Sequence, residues 1–220
     1  MLQLKQLTKL YPQSAKNIEI FKDLDFQVKK GKKIAIMGKS GSGKSTLLSL
    51  MSGIIKPTSG DVLLDSISYN SIKESELNDF RAENIGFVFQ NFHLITYLNA
   101  LENVMLPARI KGIKNPREKA TELLNSVGLS HRLSHLPSQL SGGEKQRVAI
   151  ARALITHPKI ILADEPSGNL DEQTGIAVMD MFFELIDKHN MTLVLVTHSK
   201  DVANRCEKIY ELKSGKLNLC

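Results

Sequence analysis

The chain has 220 residues, 42% of them hydrophobic and 24% charged, which is enough to bury a sizeable core and excludes a disordered or low-complexity protein. Its net charge of +6 admits nucleic acid or an anionic surface as a partner, yet outside the short turn at 29–33 no dense basic run appears, so a solvated lysine-rich surface accounts for it. Two cysteines, Cys206 and Cys220, do not make a disulfide framework. No Cys/His cluster has zinc-ligand spacing, and no apolar run is long enough to span a bilayer.

The residues after Met1 alternate like a strand and show no signal-peptide pattern, so we expect a soluble, cytosolic protein. Residues 2–7, 18–21 and 24–28 read as strands by alternation, with a turn around Gly31. Ile34-Ala35-Ile36-Met37 is a short apolar run of the kind that forms a buried strand. A helix is predicted from Gly43 to Ser52, ending at Gly53, then a loop at 56–60 and a strand at 61–64. Between about Glu74 and Pro137 the pattern turns helical, over 74–81, 101–111 and 116–127, interrupted by a strand at 85–89 and broken by Gly112, Pro116 and Gly128. Thereafter come a helix after Ser141, a strand at 160–163, a helix at 172–188, a strand at 192–196 and a helix at 200–204. Strands alternating with helices predict a mostly parallel sheet covered on both faces.

Gly38-Lys39-Ser40-Gly41-Ser42-Gly43-Lys44-Ser45 matches the P-loop pattern in full and lies between a strand and a helix. Its glycines let backbone N–H groups wrap a phosphate, Lys44 supplies charge to the β- and γ-phosphates, and Ser45 offers a hydroxyl to Mg²⁺. The apolar strand at 160–163 ends in Asp164 and Glu165, at the kind of sheet edge where ligands bind. There Asp164 would reach the metal and Glu165 would polarise a water, although two acids can also simply begin a loop. Gln90 and His198 follow other strands and are candidates for metal ligation and for orienting water; taken singly, each is as readily a surface or structural residue. Tyr11 could stack on a purine or pack in the core. Leu140-Ser141-Gly142-Gly143-Glu144 opens a helix whose first amides, left uncovered by glycine, would suit an anion; Ser-Gly-Gly alone is also an ordinary N-cap.

The order of these elements carries more information than any one of them. It runs Tyr11, the P-loop from Gly38 to Ser45 with the adjoining Thr46, Gln90, Leu140-Ser141-Gly142-Gly143-Glu144, Asp164-Glu165, Ser167-Gly168-Asn169-Leu170-Asp171, then His198. This resembles the nucleotide-binding subunit of ATP-binding-cassette (ABC) transporters over essentially the whole chain. The stretches 86–90, 98–104, 135–140 and 163–171 are similar to the LolD, MacB and YbbA subgroup, the second and third most of all to the YbbA type. Ser167 stands where many members have Thr, and Ser199 follows His198 where Asp is common.

The resemblance implies a P-loop fold of ABC type: a parallel core with an N-terminal antiparallel β subdomain over about 1–88 and 158–220, and a helical subdomain over about 89–157. It implies ATP and Mg²⁺, with Tyr11 at the base and the P-loop on the phosphates. Ser45, Gln90 and Asp164 would serve the metal, and Glu165, His198 and Lys44 the chemistry. Ser141, Gly142, Gly143 and Asp171 would belong to the pocket closed by a second, head-to-tail copy. It also implies a membrane permease as partner, with the chain peripheral on the inner face of the membrane. Phe92, His93, Leu94, Ile95 and Tyr97 either receive a short helix of that permease or form the core of the helical lobe. A DNA-repair or chromosome-maintenance ATPase of the same superfamily is the alternative, but it would separate the P-loop from the Leu-Ser-Gly-Gly-Glu element by a long coiled coil, and no sustained heptads lie between them here. Two cassettes in one chain would be typical of a translation factor, and a small-molecule kinase would lack the Leu-Ser-Gly-Gly-Glu element.

Overall fold

The computed structural model describes residues 1–13 and 16–220. Two compact units emerge, residues 1–81 with 192–220, and residues 82–191.

In the first unit, β1 (Leu2–Gln13) lies between β2 (Lys16–Val28) and β4 (Ser59–Leu64), antiparallel to both, and the short β5 (Ile67–Ser68) completes the sheet. Leu2, Leu4, Phe26 and Val28 are buried on one face, while Asp25 and Gln27 between them point to solvent. Each large side chain buried this way contributes about 1.5–3 kcal/mol. The sequence reading splits β2 at Lys22-Asp23; the structure keeps one strand. Gln6 and Asp23 both take φ +46° at irregularities in the pairing. Side chains replace the lost ladder bonds there: the Gln6 N–H donates to Asp25 Oδ1 (2.9 Å) and the Asp23 N–H to Thr8 Oγ1 (3.1 Å).

The same unit holds β3 (Lys33–Met37), paired in parallel with β8 (Thr192–Val196) on one side and β9 (Lys208–Lys213) on the other. Ile34, Ala35 and Ile36 are buried, as is all of β8, which is why both read as unbroken apolar runs. A hairpin adds β10 (Lys216–Leu219) antiparallel to β9. Ser214 (φ +48°) and Gly215 (φ +72°) form its two-residue turn. The predicted elements omit this hairpin, although Ser-Gly between alternating segments is its signal. Helix α1 (Lys44–Met51) follows β3 and buries Leu47, Leu48, Leu50 and Met51. Helix α2 (Glu74–Asn84) contains the boundary between the units.

In the second unit β6 (Ile85–Val88) and β7 (Ile160–Asp164) pair in parallel. Helix α3 (Ala100–Ile110) packs on α4 (Pro116–Ser126) and on α5 (Gly142–Leu154), and α5 packs on α6 (Glu172–Lys188). Starts are encoded locally: Asn99 and Glu102 form a capping box on α3, and Pro116 opens α4. A Cβ on Gly86 would lie 2.4 Å from the Ala153 carbonyl oxygen, so glycine is what lets α5 approach β6. With α7 (Lys200–Ala203) the elements match the expected α/β class: mostly parallel core strands, an N-terminal antiparallel sheet and a helical segment.

Candidate functional site

The chain leaves β3 at Met37 and turns through Gly38–Gly43 into α1. Gly41 (φ +77°) and Gly43 (φ +97°) need the left-handed region that glycine reaches without strain. Gly38 has a second constraint, since a Cβ there would sit 2.7 Å from Ser42 Oγ and 2.9 Å from the Leu212 carbonyl oxygen. Gly43 gives α1 no side-chain cap. Lys44 is buried and curls back so that Nζ donates to the carbonyl oxygens of Gly38 (2.9 Å) and Lys39 (3.1 Å). Ser42 Oγ is buried and meets no hydrogen-bond partner among the described residues. Ser45 faces solvent one residue further, and Thr46 is half-buried. An uncapped helix start, an orphaned hydroxyl and a buried ammonium together fit a polyphosphate.

A cavity of about 710 Å³ opens beside Gly41 and Ser42, walled by Ile18, Ile20 and the β9–β10 turn. Tyr11 pairs across the ladder with Ile18 and is 38% exposed, so it is no core residue. Lys9 Nζ lies 4.8 Å from the centre of its ring. His198, also in this unit, follows β8 and is exposed. Ser199 caps α7 by accepting from the Val202 N–H (3.4 Å), and its own N–H donates to Thr197 Oγ1 (3.0 Å). Ser199 therefore supplies the helix cap that an Asp at this position could also make.

In the second unit Asp164 ends β7 and Glu165 takes φ +44°, an uncommon conformation for a residue with a Cβ. Gln90 Nε2 donates to Asn169 Oδ1 (3.2 Å), and Asn169 Nδ2 returns bonds to the Gln90 carbonyl oxygen (3.0 Å) and to Asn91 Oδ1 (2.8 Å). A Cβ on Gly168 would come within 2.9 Å of Gln90 Nε2, so the glycine makes room for this latch. Sequence reasoning places Asn169 in the 167–171 element without giving it a role of its own. Asp171 caps α6, accepting from the Thr174 N–H (3.0 Å), and that bond holds its carboxyl below the usual range.

Ser141 caps α5 within a capping box: its N–H donates to Glu144 Oε2 (2.8 Å) and its Oγ accepts from the Glu144 N–H (3.3 Å). Arg132 Nε donates to Glu144 Oε1 (2.8 Å). The hydrogen bonds with Ser141 first, and Arg132 after them, hold the Glu144 carboxyl below its ordinary pKa against the opposing effect of burial. The two glycines of this element differ in their surroundings. Gly143 is buried, and a Cβ on it would lie 2.4 Å from Thr174 Cγ2, so its glycine serves the contact of α5 with α6. Gly142 is the more open of the two, with Leu170 Cδ2 3.3 Å from the equivalent point.

The segment after Gln90 is not a buried core. Phe92, Leu94 and Ile95 are half-buried, His93 is exposed and Tyr97 is 79% exposed. Two residues missed by the sequence reading hold it. Asn103, fully buried, donates to the carbonyl oxygens of Ile95, Leu98 and Asn99 and accepts from the Ile95 N–H (2.8 Å). Arg152 donates to the carbonyl oxygens of His93 (2.5 Å) and Phe92 (2.7 Å), both in left-handed residues. Cys206 and Cys220 are free thiols, and burial pushes Cys206 up to about 12, which leaves it inert at neutral pH.

A strand, a glycine loop and a lysine-led helix start of this form define a P-loop nucleotide-binding protein. The family model described as ABC transporter matches residues 21–168. The lipoprotein-releasing system ATP-binding protein LolD of Legionella pneumophila (strain Paris) is 47% identical over 215 residues, covering 97% of this chain and 95% of the relative. The macrolide export ATP-binding/permease protein MacB of Rhodopirellula baltica is 45% identical over 98% of this chain, which spans 32% of that longer protein. The solved dimeric post-hydrolysis structure of the ATP-binding cassette MJ0796, bound to ADP and Pi, superposes with a TM-score of 0.91 at 43% identity, over 99% of this chain and 97% of the other. The chain belongs to the ABC transporter family. Within it, this is an ATP-binding, ATP-hydrolysing cassette of the LolD and MacB type.

Proposed function

We propose that residues 1–220 act as one ABC ATPase domain, with a core and β subdomain at about 1–88 and 158–220 and a helical subdomain at about 89–157. Two copies close head to tail on ATP and drive a separate membrane permease, of the lipoprotein-release or macrolide-export kind. The chain sits at the inner face of the membrane through that permease; no helix among the described residues is long and apolar enough to cross a bilayer itself. The observation that carries the reading is the P-loop, with its uncapped helix start, orphaned Ser42 hydroxyl and buried Lys44.

Gly38 to Thr46 hold the phosphates, and Tyr11 stacks on the base. Ser45, Gln90 and Asp164 would hold Mg²⁺, which when bound neutralises charge on the β- and γ-phosphate oxygens. Glu165 accepts a proton from the attacking water and His198 orients that water, while Lys44 offsets the charge that grows on the phosphate. Ser141, Gly142, Gly143 and Asp171 act on the nucleotide held by the other copy. The half-exposed aromatic segment 92–97, pinned by Asn103 and Arg152, suits a short permease helix, its Tyr97 ring standing free.

The test uses Glu165→Gln and Ser141→Arg. With ATP and Mg²⁺, Glu165→Gln should lose turnover by at least a hundredfold and elute as a dimer, while Glu165→Gln with Ser141→Arg should bind ATP and remain a monomer. Normal turnover in the first variant, or a stable ATP dimer in the second, refutes the assignment.

A further inference from the structure

A second cavity, of about 520 Å³, lies in the first unit where β2, the turn from β2 to β3, β9 and β10 meet. It belongs to the strand ends opposite the P-loop, because β3 starts here and leaves for the P-loop at its other end. Its size falls within the range of small-molecule clefts, about 300–1,000 Å³. The apolar wall is built: Phe26 and Tyr210 meet edge to face with ring centroids 5.1 Å apart, beside Ile34 and Leu217. Phe26 is 7% exposed and Ile34 3%, so this wall is rigid core surface seen through an opening.

The charges on the wall are unequal in their engagement. Glu207 accepts from Lys32 Nζ at 2.6 Å and from the Lys33 N–H at 3.3 Å, so the Lys32–Glu207 pair is locally neutral. Asp25 accepts from the Gln6 N–H. Lys29 and Lys208 also line the cavity, and neither makes an ion pair among the described residues. Lys29 belongs to the lysine-rich turn Lys29-Lys30-Gly31-Lys32-Lys33, and folding brings Lys208, far along the chain, onto the same cavity. Two uncommitted ammonium groups against one remaining carboxylate leave it net positive above an aromatic wall. The two rings, at 86° to each other, offer an apolar corner, and an ammonium at the rim attracts a single anionic head.

We propose that this cavity is a ligand site for a small amphiphilic anion, with an aromatic or branched apolar body on the Phe26–Tyr210 wall and one carboxylate, sulfonate or phosphate head between Lys29 and Lys208. Such a ligand meets the protein on the strands that carry the P-loop, at their far end.

Isothermal titration of the full chain tests this with 2-naphthalenesulfonate as the probe, against 2-naphthalenemethanol and inorganic sulfate. The sulfonate should bind one site at least tenfold more tightly than either control. Lys29→Glu with Lys208→Glu should weaken it at least tenfold, and Tyr210→Ala at least fivefold, with circular dichroism confirming that both variants fold. Lys44→Ala, which changes the P-loop, should leave the affinity within twofold, separating this site from the nucleotide site. An equal affinity for sulfate would make the site a bare anion patch and overturn the proposal. So would unchanged binding in the Lys29/Lys208 variant, loss of binding in Lys44→Ala, or no binding at millimolar probe.

Discussion

Replacing Gly143 by alanine tests how α5 meets α6. The new Cβ would lie 2.4 Å from Thr174 Cγ2, where ordinary contact begins at 3.4 Å, so the helices must part by about 3.4 − 2.4 = 1.0 Å or Thr174 must leave its position. Overpacking of this kind costs about 1–3 kcal/mol. Alanine in a helix recovers about 0.5–1 kcal/mol relative to glycine, which leaves a net loss near 1–2 kcal/mol. Thr174→Ser removes the offending methyl for about 0.8 kcal/mol. In the double variant the nearest remaining atoms, Thr174 Cβ and Val178 Cγ2, stand 3.9 Å away in ordinary contact. The two substitutions should therefore couple by at least about 1 kcal/mol, the double variant being more stable than the sum of the singles predicts. Urea unfolding followed by circular dichroism measures this, since the chain has no tryptophan to report by fluorescence. Gly142→Ala serves as the contrast: its neighbour, Leu170 Cδ2 at 3.3 Å, is the tip of a flexible side chain, and the change should be close to neutral. Additive single effects, or a Gly142→Ala loss as large as that of Gly143→Ala, would refute the packing argument.

Gln146 is fully buried in α5, and neither its Nε2 nor its Oε1 has a hydrogen-bond partner among the described residues. Gln146→Leu should then raise stability by about 1–2 kcal/mol in the same urea assay, and a loss would mean that the amide is satisfied. Glu144→Gln keeps the capping contacts and loses the charge facing Arg132, costing about 0.5–1 kcal/mol near neutral pH. Because the folded state depresses the Glu144 pKa, the stability it adds is present above the unfolded carboxylate pKa and fades as pH falls through the folded value. The gap between wild type and Glu144→Gln should close over that acid range, and a constant gap would exclude the ion pair as its source. Ser199→Ala should cost about 1 kcal/mol through loss of the α7 cap, and Ser199→Asp should restore it; equal stabilities for all three would remove Ser199 as a cap.

The elements that the sequence announces are those with one unambiguous local cause. The apolar runs of β3 and β8, the Ser141-to-Glu144 capping box and the glycines of the P-loop each fix a conformation without distant help. Where a distant residue decides, the reading fails. Asp23 looks like a strand end until Thr8 accepts from its N–H, and nothing local to Gly143 announces that Thr174 lies against it. Asn169 and Arg152 act through carbonyl oxygens about 60 to 80 residues away along the chain, which no local pattern encodes. The β9–β10 hairpin is a different matter, since its Ser-Gly turn lies in plain view.

The paired bonds between the Gln90 and Asn169 side chains and backbone have a mechanical consequence. With the Gln90 side chain donating to Asn169 and the Asn169 side chain donating to the Gln90 backbone, the residues beyond β6 and those beyond β7 cannot slide past each other without breaking two bonds at once. The segment that follows Gln90 is thereby tied to the turn that delivers Asp171 to the start of α6.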